Sequence, residues 1–433
     1  MNGSARPDQV VVINDDAVER GGAGAIALAS ARLLRERDIP VTFLSGSDAV
    51  AGDLATRGVR VAVLGGRHIL ERNALSAAAR GLFDPTTNAA LERWIAAHDT
   101  PDTVYHLHNW HKALSPSVFV GLRRVASRLV LSAHDYFLAC PNGAYFLYKQ
   151  QRECGLVPNS AACVTTACDR RNYGHKLWRV ARHELRHRLF DLTKSEALVI
   201  AVHEAMLPLL ARGPLSAHRT CVIRNPVTAW RETRVRAEKN RDVFFIGRLD
   251  GDKGADILAH AAQRVGARLR LIGDGPLAAR IKHDHPDAEL LGWRSRQDIA
   301  HLIGDARIVV SPTLNREPFG LVALEALMSG IPVVVAQSSP FAAEIVSHEF
   351  GRACDPHDEA ALAAAIDALL HDDPLVHRMS RRAFAEARRL APTPAQWCDE
   401  LLALYARRLG ARAVSRDMTA TDQLASFGVE GQG

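Results

Sequence analysis

Two glutamates, Glu317 and Glu325, stand eight positions apart in the stretch SPTLNREPFGLVALEALMSGIPVVV, Ser311 to Val335. Pro318-Phe319-Gly320 reads as the start of a helix and Leu321 to Met328 as its body, which puts Glu325 roughly two turns inside it. Glu317 falls on the loop ahead of that helix. The first turn of a helix offers unpaired N–H groups and the positive end of its dipole, a natural seat for phosphate. One carboxylate beside the seat and one further in can grip hydroxyls on either side of a diphosphate, a spacing that suits a sugar nucleotide. Taken alone, a glutamate in an Ala- and Leu-rich helix is more often part of a solvated face.

Other residues carry compatible chemistry. Arg248 and Lys253 share one strand-to-helix loop and can neutralise a diphosphate leaving group as its charge develops. Otherwise they are a pair of surface cations. His134-Asp135 emerge from the carboxyl end of an apolar strand, where ligands bind in doubly wound sheets. A lone histidine there is more often structural, but the position favours function. The cluster HLHNWH holds His106, His108 and His111 at a spacing poor for a metal site, and His108 and Asn109 are read as acceptor-side residues. Near the N-terminus, Gly21-Gly22-Ala23-Gly24 lies between a strand and a helix. These glycines allow close backbone approach to a ligand, although the pattern is not GxGxxG.

The stretch from Glu317 through Glu325-Ala326 and Ser329-Gly330 to Pro332-Val333-Val334 resembles the E-x7-E motif of the retaining GT-B glycosyltransferases, in particular glycosyltransferase family 4. Gly247-Arg248-Leu249 with Lys253-Gly254, the His134-Asp135 pair and the Arg224-Asn225-Pro226 turn resemble the same family. The resemblance runs to about residue 410 and is best in the C-terminal half. It implies an α/β fold of GT-B type, two Rossmann-like doubly wound parallel-sheet domains facing a central cleft. It further implies that Glu317 holds the donor sugar and Glu325 the ribose. Arg248, Lys253 and the helix start at Phe319, Gly320 and Leu321 would take the diphosphate, and His134 would lie against the sugar. Gly22, Gly247, Gly273 and Gly275 would line the donor site, and Gly21 would lie near the acceptor. One departure is Ser338-Ser339, where the family usually shows a Gly-Gly pair ahead of Glu344. The implied reaction moves a sugar from a nucleotide diphosphate sugar to a hydroxyl acceptor with retention and needs no cofactor for the chemistry. The acceptor would be a glycan or lipid-linked glycan in surface polysaccharide or glycolipid assembly. The competing reading is a non-catalytic GT-B-like protein whose cysteine loop acts as an interaction module.

That loop holds Cys140, Cys154, Cys163 and Cys168, four of the seven cysteines. Bunched cytosolic cysteines point to a structural zinc or an iron–sulfur cluster. The absence of any CxxC leaves free buried thiols as the equal alternative. Directly after comes a basic run, Arg170 to Arg188, with seven Lys or Arg against Glu184. It reads as a solvated helix face, a patch for anionic lipid headgroups giving peripheral membrane contact, or a nucleic-acid footprint. The last is least favoured, for want of a recognised binding motif.

The elements that must position these groups alternate strand and helix, the pattern of a parallel sheet covered on both faces. With 433 residues the chain suits two domains. The expected division is 1–227 for the acceptor domain, with a Cys-containing insertion at 136–172, and 228–241 for a linker. The nucleotide-sugar domain follows at 242–392, then a crossover helix at 393–410 and a disordered tail at 411–433. Hydrophobic residues make up 47% and the formal charge is +6, the profile of a soluble globular protein. No apolar run approaches the roughly 18 to 20 residues of a membrane span, and no secretory signal is evident. The expected location is cytoplasmic, with the membrane surface as a place of peripheral contact.

Overall fold

The structure is a computed structural model that describes residues 6–427, with side chains described to residue 410. Nine strands form in the first half. They are β1 (Gln9–Asn14), β2 (Val41–Ser45), β3 (Arg60–Val63), β4 (Thr103–Leu107), β5 (Leu129–Ala133), β6 (Phe146–Leu147), β7 (Arg152–Glu153), β8 (Leu198–Ala201) and β9 (Thr220–Val222). Seven of them make one parallel sheet in the order β3-β2-β1-β4-β5-β8-β9, and β6 and β7 pair as a small antiparallel hairpin. The second half gives β10 (Asp242–Ile246), β11 (Leu269–Ile272), β12 (Glu289–Gly292), β13 (Ala306–Ser311), β14 (Val333–Ala336) and β15 (Gly351–Cys354), a parallel sheet in the order β12-β11-β10-β13-β14-β15. Two doubly wound parallel sheets are what the strand–helix alternation predicts.

Burial on both faces explains the apolar runs. In β1, Val10 and Val12 enter one buried cluster, shared with the helix Gly22–Glu36 and the last helix, while Val11 and Ile13 enter the cluster on the opposite face. Alternate side chains of a strand point to opposite faces, so a strand covered twice has no polar position to spare. In β10, Phe244 likewise faces one cluster and Val243 and Phe245 the other.

The last helix, Pro394–Phe427, packs Trp397, Leu401 and Tyr405 into the first sheet's core. The Tyr405 hydroxyl lies 2.6 Å from His106 Nδ1 on β4. Of the tail expected to be disordered, residues 428–433 lie outside the described residues, and residues 411–427 are described as backbone of this helix.

Several helices depart from expectation for local reasons. The run from Ala113 to Ala126 has the composition of a single helix but forms a shorter one, Val118–Leu122, followed by a 3-10 segment, Arg123–Arg128. Its expected first turn is held open by Asp15, whose carboxylate accepts four backbone N–H groups, from His111, Lys112, Ala113 and Leu114. A helix not anticipated, Ala74–Leu82, is capped by Asn73. The helix Pro85–His98 starts where it does because Asp84 caps it and Pro85 supplies a first residue with no N–H to satisfy. Among the described residues no helix is long and apolar enough to cross a membrane.

Candidate active site

The helix Leu321–Met328 begins where the sequence predicts, and Gly320 caps it at φ 89°, ψ 50°. That left-handed conformation disfavours any side chain, so the glycine is needed where the loop turns into the helix. The helix start faces a cavity of about 310 Å³ lined by Lys253, Thr313, Glu317, Phe319, Gly320 and Leu321 on one side and Gly22 and His134 on the other. The first half thus closes over the second. A Cβ on Gly22 would meet the Leu321 side chain at 3.1 Å.

Glu317 is ion-paired with Lys253 in this cavity. Burial pushes its carboxyl up, but the Lys253 charge and hydrogen bonds from Lys253 and Thr313 outweigh that, so it titrates below the ordinary carboxylate range. Glu325 sits further along the helix, outside the cavity wall, ion-paired with Arg296. Burial pushes its carboxyl up, and Arg296 offsets this only in part. Arg296 also donates to the carbonyls of Thr228 and Ala229, tying the carboxylate to the segment after β9. Sequence reasoning missed Arg296. Its only signal was a cation in the first turn of a short helix, which is a poor place for positive charge unless something pairs with it.

Arg248 projects from the loop after β10, mostly exposed, against Asp250 and Asp252. Asp252 is buried and also accepts from Arg170 of the first half at 3.0 Å and from Asn315 Nδ2 at 2.8 Å. Gly247 lines the cavity, whereas Gly273 and Gly275 lie outside its wall. Gly273 is needed for packing: a Cβ there would fall 1.9 Å from the Gly247 carbonyl oxygen. The two loops after β10 and β11 lie backbone to backbone, and that contact accounts for the glycine without a ligand. Ser339, at the point of departure from the family pattern, has its hydroxyl 4.0 Å from where a Gly320 Cβ would lie.

On the first half, His134 Nε2 lies 2.9 Å from His108 Nδ1, and the two rings stack at 5.1 Å. His108 is 3% exposed and lies behind His134, so of the expected acceptor-side residues Gly21 and Asn109 line the open cleft and His108 does not. Burial holds His134 neutral down to about pH 4 and His106 to about 3. Burial also pushes the neighbouring Asp135 carboxyl up to about 6. Asn14 Oδ1 accepts from both the backbone N–H and Nδ2 of Asn109, and Asp15 fixes the N–H groups of His111 to Leu114. The polar pair at the end of β1 therefore shapes the loop after β4. His111 and Lys112 on that loop reach the cleft, two residues the sequence did not single out as site residues.

The cysteine loop does not behave as the metal expectation required. Cys140, Cys154, Cys163 and Cys168 are free thiols, and among the described residues no group of three or more His, Cys, Asp or Glu side chains could hold a metal ion. The buried Lys176 ammonium instead donates to Cys163 Sγ at 3.3 Å. The basic helix, Tyr173–Leu189, is only partly a solvated face. Lys176, Arg182 and Arg186 are buried on it, and Arg186 donates to the Leu138 carbonyl at 3.0 Å to hold the loop after β5.

Residues 227–386 match the sequence model of the family described as glycosyl transferases group 1. A glycogen synthase of Mycobacterium tuberculosis is 30% identical over 185 residues, 40% of this chain and 44% of that one. A D-inositol 3-phosphate glycosyltransferase of Stackebrandtia nassauensis is 33% identical over 192 residues, 40% of this chain and 42% of that one. The matches thus span less than half the length of these curated relatives. Among solved structures, Anabaena Alr3699/HepE in complex with UDP and glucose aligns with a TM-score of 0.62 at 20% identity, over 91% of this chain and 98% of that one. Sucrose-phosphate synthase from Thermosynechococcus elongatus aligns at 0.69 and 17% identity, over 94% of this chain and all of that one. The chain therefore has the GT-B fold, and its segment 227–386 is similar to the glycosyl transferases group 1 family.

Proposed function

We propose that the protein is a retaining glycosyltransferase of the family 4 type. It moves a sugar from a nucleotide diphosphate sugar to a hydroxyl acceptor in polysaccharide or glycolipid assembly, at the cytoplasmic face of a membrane. The observation that carries the reading is the convergence of Glu317, Lys253 and the Gly320-capped helix start on one cavity, with His134 and Gly22 opposite. In this reading Lys253, Arg248 and the helix N–H groups take the diphosphate, so positive charge is already in place where negative charge develops on the leaving group. Glu317 orients the donor sugar and Glu325 the ribose. His134, held neutral by burial and oriented by His108, lies against the sugar and accepts or donates one hydrogen bond there. Glu317, paired with Lys253, is poorly suited as a covalent nucleophile. The reading therefore assigns the acceptor's proton to the departing phosphate oxygen on the same face of the sugar. Relatives named as a glycogen synthase and an inositol-phosphate glycosyltransferase support sugar transfer as the reaction class. The test is the anomeric configuration of the released sugar, followed by NMR from the first turnovers of the donor, with water as acceptor if need be. A product of unchanged configuration is expected, and an inverted one would remove the front-face mechanism.

A further inference from the structure

The cleft widens in front of His134 into a cavity of about 830 Å³ whose wall carries nine Lys or Arg side chains and two carboxylates, Asp135 and Asp252. Six of the cations have a carboxylate within salt-bridge reach. Arg170 and Arg248 pair with Asp250 and Asp252, Arg179 with Asp169, Arg20 with Asp16 and Glu71, Arg316 with Glu153 and Lys253 with Glu317. Among the described residues Lys112, Arg171 and Arg182 have none within 4.0 Å.

Arg182 is the telling one. It is 6% exposed, lies between the rings of Trp110 and Trp178 at 5.1 and 5.3 Å, and donates only to the carbonyls of Gly81 at 2.8 Å and Trp110 at 3.5 Å. A buried cation without a counter-ion is costly to the fold. Arg171 adds a second unneutralised charge just before the helix Tyr173–Leu189, whose first turn holds no acid.

An apolar trough of about 560 Å³ continues from this wall. It runs between the helix Ala74–Leu82 and the start of the helix Tyr173–Leu189. Leu70, Ala74, Ala77, Ala78 and Trp178 form its sides, and Arg171, His175 and Trp178 belong to both the trough and the cavity. Leu70 is 68% exposed and Leu75, on the same helix as the trough alanines, is 86% exposed. Apolar surface left open beside a cationic wall is a marker of ligand contact rather than of chance.

We infer that this is the acceptor subsite and that the acceptor is an anionic amphiphile. Its phosphate or diphosphate lies against Lys112, Arg171 and Arg182, and its hydrocarbon lies in the Leu70–Trp178 trough. The inference rests on the glycosyltransferase reading above and names the acceptor class for it. A free sugar phosphate would use the cations and leave the trough empty, so the trough decides between the two sources.

The experiment compares three probes below any micelle-forming concentration: dodecyl phosphate, dodecyl glucoside and inorganic phosphate. Each is titrated calorimetrically into the full chain, into Arg171→Ala and into Ala77→Trp, with nucleotide-sugar binding measured in parallel on the same samples. Dodecyl phosphate is expected to bind the wild type about tenfold tighter than either other probe, the worth of one charge-assisted contact or of a partly buried chain. Arg171→Ala should lose that advantage over dodecyl glucoside, and Ala77→Trp the advantage over inorganic phosphate, with nucleotide-sugar affinity unchanged in both. Equal binding of the two dodecyl probes, or of dodecyl and inorganic phosphate, would overturn the inference even where the nucleotide sugar binds well. Binding of dodecyl phosphate without any nucleotide-sugar binding would overturn its assignment as an acceptor.

Discussion

Lys253 and Glu317 are ion-paired across two loops of the second half, one following β10 and the other preceding the helix Leu321–Met328. The pair places one positive and one negative group side by side at the helix start, where a diphosphate and a sugar hydroxyl would need one each. Under the proposed function, binding a donor would exchange the mutual pair for two ligand contacts. Lys253→Ala is expected to lower kcat/KM for the donor by about 100- to 1000-fold, the usual loss for one preorganised charge at a developing anion. Glu317→Gln should lower kcat with less effect on nucleotide affinity. Steady-state kinetics with calorimetric affinities separate the two.

Glu317 and Glu325 should differ in their response to acid. Burial raises the Glu325 carboxyl, while Lys253 and Thr313 bring Glu317 below the usual range. If Glu325 accepts hydrogen bonds from the ribose, its protonation removes them, so donor affinity should fall as pH drops toward the raised Glu325 value while Glu317 is still ionised. In Glu325→Gln that acid limb should vanish and affinity should be uniformly low. An unchanged limb would assign it to another group.

His108 lies 2.9 Å from His134, and the proposed function makes it a positioning residue. His108→Ala should reduce kcat by about tenfold, the scale of one lost hydrogen bond, with donor KM little changed. His108→Asn should restore part of that loss if orientation is the cause.

Stability should depend on these histidines as well. His106 and His134 are held to about 3 and 4 against 6.5 when unfolded, and His108 and His111 are also lowered by burial. Between those values the unfolded chain binds more protons, so stability rises with pH up to about 6.5 and then levels. Asp135, raised to about 6, opposes this between about pH 4 and 6, because there the folded state holds the extra proton. Asp15, Asp242 and Glu325, also raised by burial, act in the same sense as Asp135, but with His68, His183, His203 and His285 the histidines lowered by burial number eight against these four carboxyls, so Tm measured from pH 4.5 to 7.5 should climb and flatten. A Tm that falls across this range would contradict the buried neutral assignment.

Much of this arrangement was legible in the sequence because the strands are covered on both faces. Runs such as Val10 to Ile13 and Val243 to Ile246 have no competing reading once Gly and polar turns bound them. Gly320 and the helix start were legible for the same reason, since a Pro-Phe-Gly turn leaves few conformations open. The rest depends on partners distant in sequence. Arg296 finds Glu325, Asp15 holds open the turn at His111 to Leu114, and His108 is turned behind His134. None of these has a local pattern. The cysteines read equally as a metal site or as free thiols because spacing alone does not report where thiols point, and the fold gives the buried Lys176 to Cys163.

Gly273 and Gly320 test the backbone argument. Gly273→Ala would drive a Cβ into the Gly247 carbonyl at 1.9 Å and should destabilise the second domain by about 3 kcal/mol or more, as overpacking against rigid backbone does. Gly320→Ala has room beside it but must hold a positive φ, which costs roughly 1–2 kcal/mol. Its thermal shift should be the smaller and its loss of donor affinity the larger, as read by denaturant melts alongside calorimetry.

The proposed function seats a nucleotide diphosphate sugar in the cleft between Lys253, Glu317 and Glu325. It is tested most directly by calorimetric titration of UDP-, GDP-, ADP- and dTDP-sugars into the wild type and into Glu325→Ala. One donor is expected to bind at a single site, and this binding to weaken at least about tenfold in the variant, whose melting curve stays close to the wild type. No binding by any of the four, or binding indifferent to Glu325, would contradict it.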